Sequence, residues 1–242
     1  MTACILQDYR TDRCANCTHL CPHRVAFHGL NDNGGRTADV KIPKDYRHVT
    51  LSTSPCRKAQ SDIYRKLDVY ASTFKRHLTG GERAKSLYLW SESPGTGKTT
   101  TAAALLNAWI ASEYLVAIKD GEQPSQTNAY FLDVTELQTS YNLATMTKDE
   151  GALKAIGKRI SDAQQASFAV LDDIGVRKAT EAFRAYIHAL INHRTANGLP
   201  TVYTSNLDIS EMATVFDDRL YDRIRDQCAT FEFDGESKRG RR

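Results

Sequence analysis

Three consecutive pieces of this 242-residue chain constrain its fold more than anything else in it. They are the apolar Ser86-Leu87-Tyr88-Leu89-Trp90, the segment Ser91-Glu92-Ser93-Pro94-Gly95-Thr96-Gly97-Lys98-Thr99-Thr100, and the apolar run from Ala102 to Ile110. In that order they predict a short strand, a glycine-bearing loop and a helix, which is the context a phosphate-binding loop requires. Backbone N–H groups of such a loop converge with the helix N-terminus on an anion, and Gly95 and Gly97 let the backbone come close. Lys98 is expected to reach the terminal phosphates of a nucleotide and Thr99 to ligate Mg2+, with Pro94, Gly95, Thr96, Gly97 and Thr100 lining the cradle. Glu92 stands where the motif has its first glycine. A carboxylate there is expected to weaken nucleotide binding.

The downstream sequence supplies what such a loop needs. Residues 128–134 read as a second strand, 151–163 as a helix with Leu153, Ile156 and Ile160 inward, and Phe168-Ala169-Val170-Leu171 as a buried strand running into Asp172-Asp173-Ile174-Gly175. Of the acidic pair, Asp172 is assigned to magnesium and Asp173 to the attacking water. Thr201 to Thr204 reads as a fourth strand that delivers Asn206 to a strand carboxyl end, where open α/β sheets place ligand contacts. Residues 217–225 form an arginine-dense helix, and residues 230–233 a last strand. A planar, permanently charged guanidinium suits a transferring phosphoryl group, although arginines of such a helix also pair with Asp218, Asp222 and Asp226.

The other clustered feature is cysteine, because Cys4, Cys14, Cys17 and Cys21, four of the six, fall in the first 21 residues. In a reducing compartment this clustering favours metal over disulfide. Four thiolates make the simplest tetrahedral Zn2+ site, with His23 or His28 as a replacement for Cys4 and an iron–sulfur centre as the alternative. Cys56 and Cys228 read as small buried hydrophobes. Residues 30–40, with Asn, Asp and a glycine pair and no periodicity, read as a linker. This divides the chain into a cysteine-rich module and linker, 1–40, and a domain that carries the phosphate loop, 41–242. From Gln60 to Leu78 apolar residues recur at helical spacing. Charge is uneven: residues 41–85 carry eleven Lys/Arg against four Asp/Glu, which points to a polyanion-facing surface or a solvated basic helix face. With 41% hydrophobic and 25% charged residues, no basic-then-apolar leader and no evident spanning run, the chain reads as a cytoplasmic globular protein with no membrane partner.

Gly-Thr-Gly-Lys-Thr (95–99), Leu-Asp-Asp-Ile-Gly (171–175), Thr-Ser-Asn (204–206), Asp-Arg-Leu-Tyr-Asp-Arg-Ile-Arg (218–225) and Phe-Asp-Gly-Glu-Ser-Lys-Arg (233–239) occur in this order. The set resembles the AAA+ helicase loaders of the DnaC and DnaI type and the related IstB transposition ATPases, over roughly residues 41–239. The resemblance implies an α/β P-loop NTPase with a central parallel five-stranded sheet flanked by helices. It also implies an ATPase that self-associates and binds single-stranded DNA and the hexameric replicative helicase, the cysteine-rich head being the helicase-binding piece, with a phage or mobile element as a plausible source given the compact size. Mapped residue by residue, Asp173 acts on water, Asn206 is the first sensor, Arg223 (Arg219 second) reaches a neighbour's ATP site, and Arg239 is the second sensor. Tyr141, Arg177, Lys178 and Phe183 fall on the family's DNA-contacting segments, with Tyr141 and Phe183 reading equally well as core residues. A competing reading from the same resemblance is a transposition helper ATPase acting with a transposase. A third is an adaptor that binds nucleotide without hydrolysing it.

Overall fold

The computed structural model describes residues 3–9, 14, 18–80, 83–124, 126, 128–175, 179–215 and 218–235, with no side-chain description at 214, 215 and 218–220. Cys17, Arg177, Lys178 and Arg239 therefore lie outside the described residues, as does the side chain of Arg219.

The chain forms two compact units, one of residues 1–84 and 103–129 and the other of residues 85–102 and 130–242. In the first, helices α1 (Pro22–His28) and α2 (Gly35–Asp39) are joined by a tight turn, and the Thr37 hydroxyl donates to the Phe27 carbonyl at 3.1 Å. Gly29 has φ 73°, and a Cβ there would stand 2.0 Å from the Asn33 carbonyl oxygen, so the turn closes only around glycine. Residues 30–40 are thus not a structureless linker: they contain α2, whose Arg36 donates to the Pro124 carbonyl at 2.9 Å. The predicted helix over 60–78 is two helices, α3 (Ser61–Ser72) and α4 (Phe74–Leu78). The break has a local cause, since the Ser72 and Thr73 hydroxyls donate to the carbonyls of Val69 and Tyr70 at 2.6 and 2.7 Å.

The second unit holds a five-stranded sheet in the order β2 (Ala129–Asp133), β3 (Phe168–Asp172), β4 (Thr201–Ser205), β1 (Ser86–Trp90), β5 (Cys228–Glu232). The pairings of β1 with β4 and β5, and of β3 with β4, are parallel. All five residues of β3 and of β4 are buried, as expected of central strands covered on both faces. Helix α5 (Lys98–Lys119) follows β1, and α6 (Val134–Thr147) and α7 (Glu150–Gln165) connect β2 to β3. Helix α8 (Glu181–Ala196) precedes β4, and α9 (Met212–Val215) and α10 (Asp218–Gln227) precede β5. Caps set several boundaries: Asp133, Asp149 and Thr180 side chains accept from the N–H groups of Glu136, Ala152 and Phe183.

Helix α5 is long and apolar enough to cross a membrane by length and composition, contrary to the expectation that no such run exists. Its alanines 102, 103 and 104, with Leu105, Leu106, Trp109 and Ile110, are buried within the protein. This all-round apolar helix is spent on the fold's own core.

Candidate ATP site

The loop after β1 has the backbone its glycines predict, with φ 79° at Gly95 and 110° at Gly97, values costly for any other residue. Lys98, only 8% exposed, turns back onto this loop and donates to the carbonyls of Ser91 and Ser93 at 3.3 and 3.2 Å. The Thr96 hydroxyl is buried without a hydrogen-bond partner among the described residues. A buried ammonium resting on carbonyls beside an unsatisfied hydroxyl fits a cradle for phosphate oxygens. Pro94 and Glu92 are exposed, whereas Thr100 is buried in the first turn of α5.

Sheet order then brings three strand ends together, because β4 lies between β1 and β3. The Thr99 hydroxyl donates to Asp172 Oδ2 at 3.2 Å, and Thr204 Oγ1 donates to Asp172 Oδ1 at 2.6 Å. Burial, with Asp133 and Asp173 adding repulsion, pushes the Asp172 carboxyl up to about 6 despite these donors. A desolvated carboxylate next to a hydroxyl oxygen is a donor set suited to a hard divalent cation, so Thr99 and Asp172 fit Mg2+.

Asp173 takes a left-handed backbone conformation, φ 57°. Three groups hold it: its N–H donates to Thr204 Oγ1 at 2.8 Å, Thr135 Oγ1 donates to its Oδ2 at 3.0 Å, and Asn206 Nδ2 donates to its Oδ1 at 3.3 Å. The two residues assigned to the attacking water, Asp173 and Asn206, therefore meet. Thr135 and Thr204 were missed by sequence reasoning. Thr204 lies in the quoted Thr-Ser-Asn segment and carried a signal; Thr135, in the first turn of α6, carried none.

Other assigned residues lie apart from this cluster. Arg223 is exposed on α10 and its guanidinium donates to Asn192 of α8. On the same helix Arg225 pairs with acids, 3.2 Å from Asp222 and 3.7 Å from Asp226. Tyr141 is half-buried on α6, its ring 5.6 Å from that of Phe183 and 5.9 Å from that of Tyr186. Phe183, at 1% exposure, takes the core alternative and belongs to the hydrophobic core. The inward phase of α8 decides this, and it leaves Tyr186, 50% exposed, as the outward aromatic. As for the cysteines, Cys4 is buried and Cys14 and Cys21 are half-buried. Among the described residues no three His, Cys, Asp or Glu side chains are grouped so as to hold a metal ion.

A parallel five-stranded sheet in this order, with a phosphate loop after β1, an acidic pair after β3 and an asparagine after β4, is the architecture of a P-loop nucleotide-binding domain. The chain belongs to the IstB-like ATP binding protein family, the match spanning residues 82–242. It is 24% identical over 137 residues to YdaV, an uncharacterized protein of Escherichia coli K12 (57% of this chain, 48% of that protein). It is 22% identical over 138 residues to the replicative helicase loader DnaC of the same strain (57% and 49%). These matches span about half the length of the curated relatives. Among solved structures, the fold is similar to the DnaC helicase loader (TM-score 0.57, 21% identity, covering 79% of this chain and all of that one). It is also similar to a primosome component of Streptococcus pyogenes (TM-score 0.56, 22% identity, 84% and 98%) and to DnaA of Aquifex aeolicus (TM-score 0.52, 15% identity, 80% and 51%).

Proposed function

We propose that this chain is an ATPase that loads a hexameric replicative helicase during initiation of DNA replication in the cytoplasm. In this reading residues 1–40 engage the helicase and the AAA+ domain engages ATP, single-stranded DNA and further copies of itself. The observation that carries it is the meeting of Lys98, Thr99, Asp172, Asp173 and Asn206 at the carboxyl ends of β1, β3 and β4. The likeness to helicase loaders in both sequence and fold supports the choice of partner.

Lys98 exchanges the carbonyls of Ser91 and Ser93 for phosphate oxygens, and the loop N–H groups of Gly95 to Thr99 cradle them. Thr99 and Asp172 would hold Mg2+, which would supply charge neutralisation for the phosphates. Asp173 accepts a proton from the water that attacks the terminal phosphorus, Asn206 orients that water, and the bond to ADP breaks. Arg223, on the exposed face of α10, completes a neighbouring copy's site, with Arg219 next in line. For DNA, Tyr141 with Tyr186 offers aromatic faces and Arg177 and Lys178 supply cations, the combination that single strands need. Zinc at Cys4, Cys14, Cys17 and Cys21 rests on their spacing alone.

The family's relation to IstB proteins favours a second reading, a transposition helper ATPase. Co-purification with candidate replicative helicases, alongside ATPase assays with and without single-stranded DNA, tests the proposal. Helicase capture with DNA-responsive hydrolysis is the expected result; capture of a transposase alone would replace it with the second reading, and nucleotide binding without hydrolysis would leave an adaptor.

A further inference from the structure

The unit of residues 1–84 and 103–129 contains a cleft of about 840 Å³ that the ATP site does not use. This lies within the roughly 300–1,000 Å³ of ordinary ligand sites. Its walls are the last turns of α5, through Ser112, Leu115, Val116 and Lys119, the facing end of α3 and start of α4, through Asp68, Ala71, Ser72 and Lys75, and the segments of Asp8–Tyr9 and Leu51–Ser52.

Its charges are not equivalent. Both acids are engaged: Asp8 accepts hydrogen bonds from the hydroxyls of Thr50 and Ser52, and Asp68 receives both nitrogens of the Arg57 guanidinium at 3.1 and 2.7 Å. Burial, with Asp8 and Asp68 adding to it, raises the Tyr9 pKa, so its phenol stays a neutral donor. Lys75 and Lys119, both exposed, have no ion-pair partner among the described residues. They share the cleft with an apolar wall of Leu51, Ala71, Leu115 and Val116. The cleft therefore favours a ligand with apolar side chains to cover that wall and carboxylates to meet the two ammonium groups. A nucleic-acid backbone is a poor fit, because it would leave the apolar wall uncovered.

We infer that this cleft docks an acidic, apolar-studded segment of a partner protein. If the loader reading holds, that segment belongs to the helicase, and the inference then extends the helicase contact beyond residues 1–40.

The test uses the full chain and a fluorescein-labelled peptide of repeating Glu and Leu, with a Lys/Leu peptide as control, read by anisotropy. Wild type should bind the acidic peptide only. Lys75→Glu with Lys119→Glu should weaken binding at least about ten-fold, since like charges then face each other. Ala71→Trp, which fills the cleft without touching a charge, should weaken it as well, and both variants should keep wild-type ATP binding as a check on folding. Equal binding by wild type and variants, or displacement of the peptide by a single-stranded oligonucleotide, would overturn the inference. Helicase co-purification separates the two readings. If no helicase binds wild type, the loader reading falls and the peptide result decides the cleft. If helicase binds wild type and both variants alike, the cleft is not its docking site.

Discussion

Asp172 is the residue whose chemistry is most exposed to measurement. Its folded value near 6 lies above the ordinary 3.8, so the folded protein binds this proton more tightly than the unfolded chain does. The stability this gives is complete below about pH 4 and is lost as pH rises through about 6. Nucleotide-free Asp172→Asn keeps an acceptor for the Thr204 hydroxyl and turns its amide N–H toward the Thr99 oxygen without the charge, so it should melt higher than wild type at about pH 8, with the gap closing toward pH 4. Melting curves across that range check it, and a gap that ignores pH would refute it. Thr135 gives the second prediction, because its hydroxyl fixes Asp173 Oδ2 from a neighbouring strand end. Thr135→Val should lower kcat on the order of ten-fold with ATP affinity unchanged, and Thr135→Ser should restore it. A parallel loss of ATP affinity would place Thr135 in binding instead.

Among the elements, α7, α8 and β4 are tied by one side chain. Arg194, fully buried on α8, donates to the carbonyls of Ala163 and Ala166 at 2.7 and 2.8 Å, to that of Pro200 at 2.9 Å and to the Thr201 hydroxyl at 2.8 Å. It meets no carboxylate in this set, and burial lowers its pKa to about 10. Arg194→Met would fill the space but leave these acceptors without donors, at about 1–3 kcal/mol for each unsatisfied group. A stability loss of roughly 3 kcal/mol or more is expected by chemical denaturation; a change below about 1 kcal/mol would mean that water replaces the guanidinium. Helix α10 carries the intersubunit prediction. Arg223→Ala should bind ATP normally yet hydrolyse it about 10³-fold more slowly, as expected of a finger acting in trans. Lys98→Ala subunits lack ATP but can still donate Arg223, so mixing the two variants should recover part of the activity. A mixture as inactive as its components, where wild type assembles on single-stranded DNA, moves the role to Arg219.

For the molecule as a whole, residues 1–84 form one unit with residues 103–129, a stretch that includes most of α5. Contacts inside this unit run from the extreme N-terminus into the basic segment, as when His48 Nδ1 meets the Ala3 carbonyl at 3.1 Å. Zinc in the cysteine cluster would therefore brace more than a detached head. Metal analysis of the purified chain should find one zinc per chain, and Cys17→Ser should lose it and release the helicase while ATP binding at Lys98 persists. Absence of metal, or iron in its place, would reject the assignment.

The phosphate loop, the acidic pair and Asn206 were legible in the sequence because each is a local pattern. A strand of apolar residues, a turn and a polar group at its carboxyl end are consecutive in the chain, whereas the parallel five-stranded sheet that brings such ends to one site was implied by the family resemblance. The break between α3 and α4 was less visible, since it depends on whether Ser72 and Thr73 bond back to the helix. What only the tertiary structure decided is which distant residues meet. Thr135 reaches Asp173 across 38 positions because β2 lies next to β3. Phe183 faces inward and Tyr186 outward because of how α8 is rotated against the core. Lys75 and Lys119 come to one cleft because α3, α4 and the end of α5 belong to one unit. Periodicity reports which face of an element is apolar, and pairing between elements follows from packing many such faces at once, which no single segment encodes.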